Sequence, residues 1–208
     1  MRIIFLVSLI SICISNIQAQ HSIELTTGIT FSKLQLEENM VFSETDSGNS
    51  VFVNFGYQYE FGEKRRLALV SSFEFLKRNS KLTFSPNLGV FGESSVRFTQ
   101  LGFSPKIRYF FIRIENNFRP FLSVGPTFRY NFEATDNGFD IDEDAYNTVI
   151  FGGVYNLGFD WSIDNKIGVL FETGVMNDFQ NNFTNFYSVD GKSKFFDYYA
   201  RVGINYHF

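Results

Sequence analysis

The sequence predicts an all-β chain, closed as an eight-stranded antiparallel up-and-down transmembrane β-barrel, and three observations carry that prediction. Segment after segment alternates apolar with polar residues, the two-residue period of a strand with one greasy and one polar face. The 208 residues include 28 Phe, 10 Tyr and 16 Gly, so 19% are aromatic although only 44% are hydrophobic. That balance suits strands that are greasy on one side only. The connections alternate between short and long, as the turns and outer loops of such barrels do.

Residues 1–19, MRIIFLVSLISICISNIQA, read as a secretory signal peptide. Arg2 precedes an apolar run from Ile3 to Ile14, and the approach to Ala19 is polar, the pattern of a cleavable leader. The run is too short for a spanning helix, which needs about 20 apolar residues. Cys13 follows Ile12, where a lipid-attachment signal carries a small residue, so a lipoprotein is the weaker reading. Residues 20–208 then form one barrel domain without cysteine, exported and independent of disulfides. No later apolar run reaches helix-spanning length. A net charge of -4 without a basic stripe argues against nucleic acid.

The first strand is expected over 22–32, with Ile23, Leu25, Thr27, Ile29 and Phe31 opposite Glu24, Thr26, Gly28, Thr30 and Ser32. The second, 50–61, sets Val51, Val53, Phe55, Tyr57, Tyr59 and Phe61 against Asn54, Gly56, Gln58 and Glu60. A tight connection at 62–65 leads to the third, with Leu67, Leu69, Phe73 and Phe75 against Ala68, Ser72 and Glu74. The fourth and fifth are expected over 95–111 and 119–132. The sixth carries Val149, Phe151, Tyr155, Leu157, Phe159 and Trp161 outward, and the seventh Ile167, Val169, Phe171 and Val175. The eighth, 194–208, alternates Tyr198, Ala200, Val202, Ile204, Tyr206 and Phe208 with Asp197, Tyr199, Arg201, Gly203, Asn205 and His207. Its closing Tyr206-x-Phe208 resembles the insertion signal of Gram-negative outer-membrane barrels. Connections 62–65, 112–118 and 162–166 are short; 33–49, 77–94, 133–145 and 177–193 are long and polar.

A secreted soluble barrel for an apolar ligand has the same periodicity with its faces exchanged. That would bury Glu24, Glu60, Glu74, Glu172 and Arg201 around the ligand at high cost, so the apolar face is assigned to lipid. Two features fit less smoothly. In the fourth segment the apolar parity changes from Val96 and Phe98 to Leu101, Phe103, Ile107 and Tyr109, as one extra residue near Thr99-Gln100 would cause. Pro105 and Pro126 fall inside strands, and are read as bulge or strand-end residues.

The stretch 101–131, LGFSPKIRYFFIRIENNFRPFLSVGPTFRYN, resembles the central hairpin of the PorT-like family of outer-membrane barrels, on its internal Pro105, its Asn-bearing turn and Arg119-Pro120-Phe121-Leu122 leading into Gly125-Pro126. The opening 25–32 is similar to that family's first strand. The resemblance implies an outer-membrane barrel and, for some members, association with a protein secretion machinery. It supplies no catalytic residues.

Glu24, Glu60, Glu74 and Glu172, with Lys106, Arg108, Arg129 and Arg201, fall on the lumen side by parity. They are expected to pair across a narrow interior, where charges must be satisfied internally; the alternative is a solute path. The acidic run 135–144 clusters oxygen ligands but lacks the calcium-loop spacing, and reads as a solvated outer loop. A lipid hydrolase needs a nucleophile beside a base, and His21 and His207 both lie near the predicted periplasmic ends. Asn182-Phe183-Thr184 matches a glycosylation tripeptide, a pattern uninformative in a bacterial outer membrane, and the glycines suit close lumen packing without phosphate-loop spacing. The expectation is a non-enzymatic outer-membrane barrel without cofactor or metal. Its partners would be surrounding lipid, the barrel assembly machinery recognising Tyr206 and Phe208, and an unidentified protein at the loops or periplasmic rim. The rival is a narrow porin.

Overall fold

The structure, a computed structural model, describes residues 20–36, 42–62, 65–84, 92–113, 116–184 and 193–208. The predicted leader and its Cys13 lie outside these. The strands are β1 (Gln20–Leu36), β2 (Phe42–Phe61), β3 (Leu67–Phe84), β4 (Glu93–Phe110), β5 (Phe118–Asp136), the two-residue β6 (Phe139–Asp140), β7 (Val149–Ser162), β8 (Ile167–Asp178) and β9 (Ser193–His207). Each wall strand pairs antiparallel with the next, and β9 returns to pair with β1 from Ser22↔His207 to Leu36↔Ser193. Eight strands therefore close the wall, as the alternation predicts, and β6 folds back on the end of β5.

Both ends of the described chain and the short turns share one end, the periplasmic end in barrels of this kind. After β2 the chain reverses at Gly62 (φ 85°) and Arg65 (φ 44°), whose amide donates to the Gly62 carbonyl at 2.9 Å. Between β7 and β8, Asp164 accepts from the amides of Lys166 and Ile167 at 2.7 Å each, and these bonds hold its carboxyl below the usual carboxylate range.

The apolar face is the outer one. Leu25, Phe55, Phe73, Ile107, Leu122, Leu157 and Val202 stand exposed around the wall, while Glu24, Asn54, Glu74, Arg108, Ser123, Asn156 and Arg201 are buried inside. Tyr57, Tyr109, Trp161 and Tyr206 ring the end with the termini, the depth at which amphipathic aromatics meet headgroups.

The strands are longer than the alternation predicts. Much of 33–49 and 77–94, expected as loops, is strand: β1 reaches Leu36, β2 begins at Phe42, β3 reaches Phe84 and β4 begins at Glu93. The hydrophobic pattern inverts there. Outward positions are Lys33, Lys77, Lys81 and Arg97, and inward ones Leu34, Leu82, Val96, Phe98 and Phe195. Within the membrane the barrel is greasy outside; beyond it the wall meets water, and the apolar residues turn inward as in a soluble protein.

That inversion corrects the reading of Val96 and Phe98. Even-numbered residues of β4 face inward from Ser94 to Phe110, so β4 has no extra residue. The irregularity does fall opposite Thr99 and Gln100, but the partners step from Glu133 to Asn131, which puts the extra residue, Phe132, in β5. Nor are Pro105 and Pro126 at bulges or strand ends. They stand mid-strand, opposite one another, where the β4–β5 ladder lapses between Phe103↔Phe128 and Ile107↔Val124.

Glycines allow neighbouring strands to approach closely. At the β1–β9 closure, a Cβ on Gly28 would press on the Ala200 carbonyl oxygen and lie 2.7 Å from the Arg201 Cα. One on Gly203 would press on the Leu25 carbonyl oxygen and lie 2.6 Å from the Thr26 Cα. Gly168 does face the lumen, beside Asp160 and His207.

Candidate functional site

The inward side chains form tiers, fixed by strand register. Nearest the termini, Arg119 donates to Glu60 at 2.8 Å and to the Arg65 carbonyl at 2.9 Å, and its guanidinium lies 3.7 Å from the Phe110 ring centre. Beside it Asp160 accepts from Asn205 at 3.1 Å, with the His207 Nε2 3.9 Å away.

The next tier is the most charged. Arg108 pairs with both oxygens of Glu24, donates to Gln58 at 2.5 Å, and reaches Glu172 at 3.3 Å. Its guanidinium lies 4.1 Å from the centre of the Phe121 ring, a cation held against a π-face. Arg201 pairs with Glu172 and stands 3.6 Å from Glu74; the Lys106 Nζ is 4.0 Å from Glu172. Glu172 is thus the hub, shared by cations from β4 and β9.

An apolar tier of Phe52, Leu76, Val154, Met176 and Tyr199 follows. Beyond it Arg78 bridges Asp178, at 2.7 Å, and Asp197, while Arg129 takes the other oxygen of Asp178 at 2.7 Å. The loop end is capped by Leu34, Leu82, Val96, Phe98, Ala134, Phe195 and two residues from the connections, Tyr146 and Phe183. Tyr146 and Phe183 bridge to one another and set their rings 5.8 and 5.3 Å from that of Phe98.

The structure places Glu24, Glu60, Glu74, Glu172, Lys106, Arg108, Arg129 and Arg201 inside the barrel, in three groups rather than one: Arg119 with Glu60, the tier around Glu172, and Arg129 with Asp178. Sequence reasoning left out Arg78, Arg119, Asp160, Asp178 and Asp197. All five keep the parity of their strands: Arg78 and Asp178 lie just past the last apolar residue of their alternation, whereas Arg119, Asp160 and Asp197 lie within the expected strands on the polar face and were not counted in the ion network. Five arginines are among the largest fully buried side chains. Single unpaired charges there would be prohibitive, and each carboxylate-bound guanidinium meets that cost with charge-assisted bonds.

His21 and His207 do not converge. His207 points into the lumen, whereas His21 lies on the outer aspect, its Nδ1 2.5 Å from the Tyr57 hydroxyl. No group of three or more His, Cys, Asp and Glu side chains arranged to hold a metal occurs among the described residues. In the acidic run, Asn137 and Gly138 make a turn with φ of 52° and 86°, and Phe139 at its tip is 78% exposed.

Tyr206 and Phe208 both face outward at the closing strand, their rings 5.3 Å apart, and the Phe208 amide donates to the His21 carbonyl at 2.9 Å. Deleting Phe208 removes that bond and the outermost aromatic. The expected result is less assembled protein in the membrane at unchanged synthesis, read as the fraction that migrates fast without heating; unchanged assembly would dismiss the insertion-signal role.

Residues 18–208 match the family described as outer membrane protein beta-barrel domain. Among solved structures the chain is similar to the outer membrane protein OprG from Pseudomonas aeruginosa, at 13% identity over 91% of this chain and 96% of that one, with a TM-score of 0.56. It is also similar to Neisserial surface protein A, at 10% identity over 89% and 97% of the two chains and a TM-score of 0.49. The attachment invasion locus protein Ail of Yersinia pestis follows at 12%, 91%, 99% and 0.44. No curated protein matches the sequence. The OprG likeness speaks to fold alone, and agrees with the closed wall and its outward apolar face; on the family match over nearly its whole length, the chain belongs to the outer membrane protein beta-barrel domain family, and its membrane is the outer membrane.

Proposed function

We propose that this protein is a closed, non-enzymatic barrel that works through its loops or periplasmic rim by binding a protein partner, and that its leader, residues 1–19, exports it. One observation carries the reading: the lumen is filled. Three salt-bridged tiers, an apolar tier between the second and third and an apolar cap at the loop end leave the inward side chains almost wholly buried. An eight-stranded interior has room for side chains and little else, and here large Arg and Phe side chains take it. With solute passage disfavoured, surfaces remain the means of action. The likeness of the 101–131 hairpin to PorT-like barrels supports a place in a protein secretion machinery.

Conductance tests this reading. Purified protein in planar bilayers is expected to show no steady current at neutral pH and moderate voltage. A stable, reproducible open level in the unmodified protein would overturn the closed barrel and restore the narrow porin.

A further inference from the structure

The lipid-facing wall is not evenly covered. Where the β4–β5 ladder lapses, Pro105 and Pro126 face each other, neither with an N–H to give. Large side chains are missing around them: Ser71 stands opposite Pro105 on β3, and Gly125 and Gly153 adjoin Pro126. The result is a depression of about 590 Å³ in the middle of the apolar band, with Leu69, Ile107, Val124 and Tyr155 on its rim. That volume lies in the roughly 300–1,000 Å³ range of ligand pockets. Farther along the same strands toward the loop end, a second depression of about 200 Å³ lies among Phe73, Leu101, Phe103, Phe128 and Tyr130.

The apolar band ends just beyond, where β3 and β4 turn basic side chains outward and β5 turns Glu133 outward, level with Lys77. Lys77 follows Phe75 on β3, and Arg97 lies opposite Asn79 on β4. At ~3.3 Å per residue Lys77 sits ~7 Å past Phe75, within the roughly 5–8 Å headgroup layer of one leaflet. Neither Lys77 nor Arg97 makes a hydrogen bond or ion pair among the described residues. The neighbouring carboxylate, Glu133 on β5, accepts from the Thr99 hydroxyl at 2.8 Å. Two unpaired cations at headgroup depth, above apolar hollows at chain depth, match the two halves of an anionic lipid.

We propose that this face of β3, β4 and β5 binds one outer-leaflet lipid with an anionic phosphate headgroup. The phosphate lies between Lys77 and Arg97, and an acyl chain runs down both depressions to the Pro105–Pro126 gap. The site is independent of whether the lumen conducts.

Photolabelling tests it. The full chain is reconstituted in phosphatidylcholine nanodiscs containing a trace of phosphatidylglycerol with a diazirine on its acyl chain, then illuminated and mapped by peptide. Label is expected several-fold more often on peptides bearing Ser71, Pro105 and Pro126 than on residues 198–206 of β9. The double variant Lys77→Gln/Arg97→Gln, at two exposed positions, brings it down to the β9 level without changing the heat-induced mobility shift. Ser71→Leu, at a half-exposed position in the lining of the hollow, does the same by filling it. Even labelling around the barrel, equal labelling by a diazirine phosphatidylcholine, or chain-to-chain crosslinks at these positions would each overturn the proposal.

Discussion

Arg201→Ala is expected to lower markedly the temperature at which the folded, fast-migrating form is lost, and Val202→Ala to change it little. The two neighbours face opposite sides of the wall. Arg201 reaches from β9 to Glu172 on β8 and, at 3.6 Å, to Glu74 on β3, with all three side chains almost wholly buried. Removing one partner of such a pair leaves a buried charge uncompensated, at a cost of about 3–5 kcal/mol. Glu172 keeps Arg108 at 3.3 Å and Lys106 at 4.0 Å, which moderates the loss, whereas Glu74 has no other salt-bridge partner among the described residues. Val202 is 51% exposed to lipid, and lipid tails replace its contacts with others as apolar. The control that isolates charge is Arg201→Met with Glu74→Met, which removes Glu74 together with its one salt-bridge partner among the described residues while Glu172 keeps Arg108 and Lys106: exchanging a buried pair for apolar residues of similar volume is often neutral. The double change should recover part of what Arg201→Ala loses. Equal shifts for Arg201→Ala and Val202→Ala would mean that the lumen charges are wet and carry no load.

The membrane-spanning part of this fold was legible because two solvents imposed the alternation. Lipid outside and packed polar groups inside make Val51, Val53, Phe55 and Tyr57 read one way and Asn54, Gly56 and Gln58 the other. Where β3 leaves the membrane that contrast disappears. Lys77, Asn79 and Lys81 alternate with Arg78, Ser80 and Leu82, which looks like polar loop although the ladder to β4 continues to Thr83↔Glu93. The same change of solvent made Val96 and Phe98 look like a register slip. The paired lumen charges were partly legible: parity names the face of Glu172 and Arg201 but not which residues meet across the interior. Arg108 and Glu24 are 84 positions apart and touch only because the barrel is closed. The prolines were visible in sequence, but their meaning depends on standing opposite each other, and that is a property of register. The extra residue in β5 was equally hidden, since Phe132 and Glu133 both lie on the outside and neither breaks the apolar pattern.

Gly203→Ala is expected to reduce the folded form severely, and Gly92→Ala to leave it unchanged. Closure of the barrel rests on the seam between the first and last strands, where Gly203 pairs with Thr26 on β1 and Leu170 on β8. A methyl group there would press on the Leu25 carbonyl oxygen and lie 2.6 Å from the Thr26 Cα. Both are backbone atoms in a ladder, so no rotamer change makes room, and the strain exceeds the ~1–3 kcal/mol of ordinary core overpacking. Relief requires β9 to move away from β1, which breaks the seam. In lipid an open edge cannot turn to water for its unpaired amides and carbonyls, so partial opening costs more there than in a soluble sheet. At Gly92, beside the start of β4, an added Cβ meets nothing within 4 Å. Both variants are read after refolding into detergent, as the fraction that migrates fast without heating and as protection of the β1 and β9 amides from exchange. Loss of the fast form in Gly203→Ala, with exchange concentrated at β1 and β9, would place the defect at the seam. Assembly of Gly203→Ala at the unmodified level would show that the two strands are not pressed together there, and that the wall closes by looser contact than these backbone distances require.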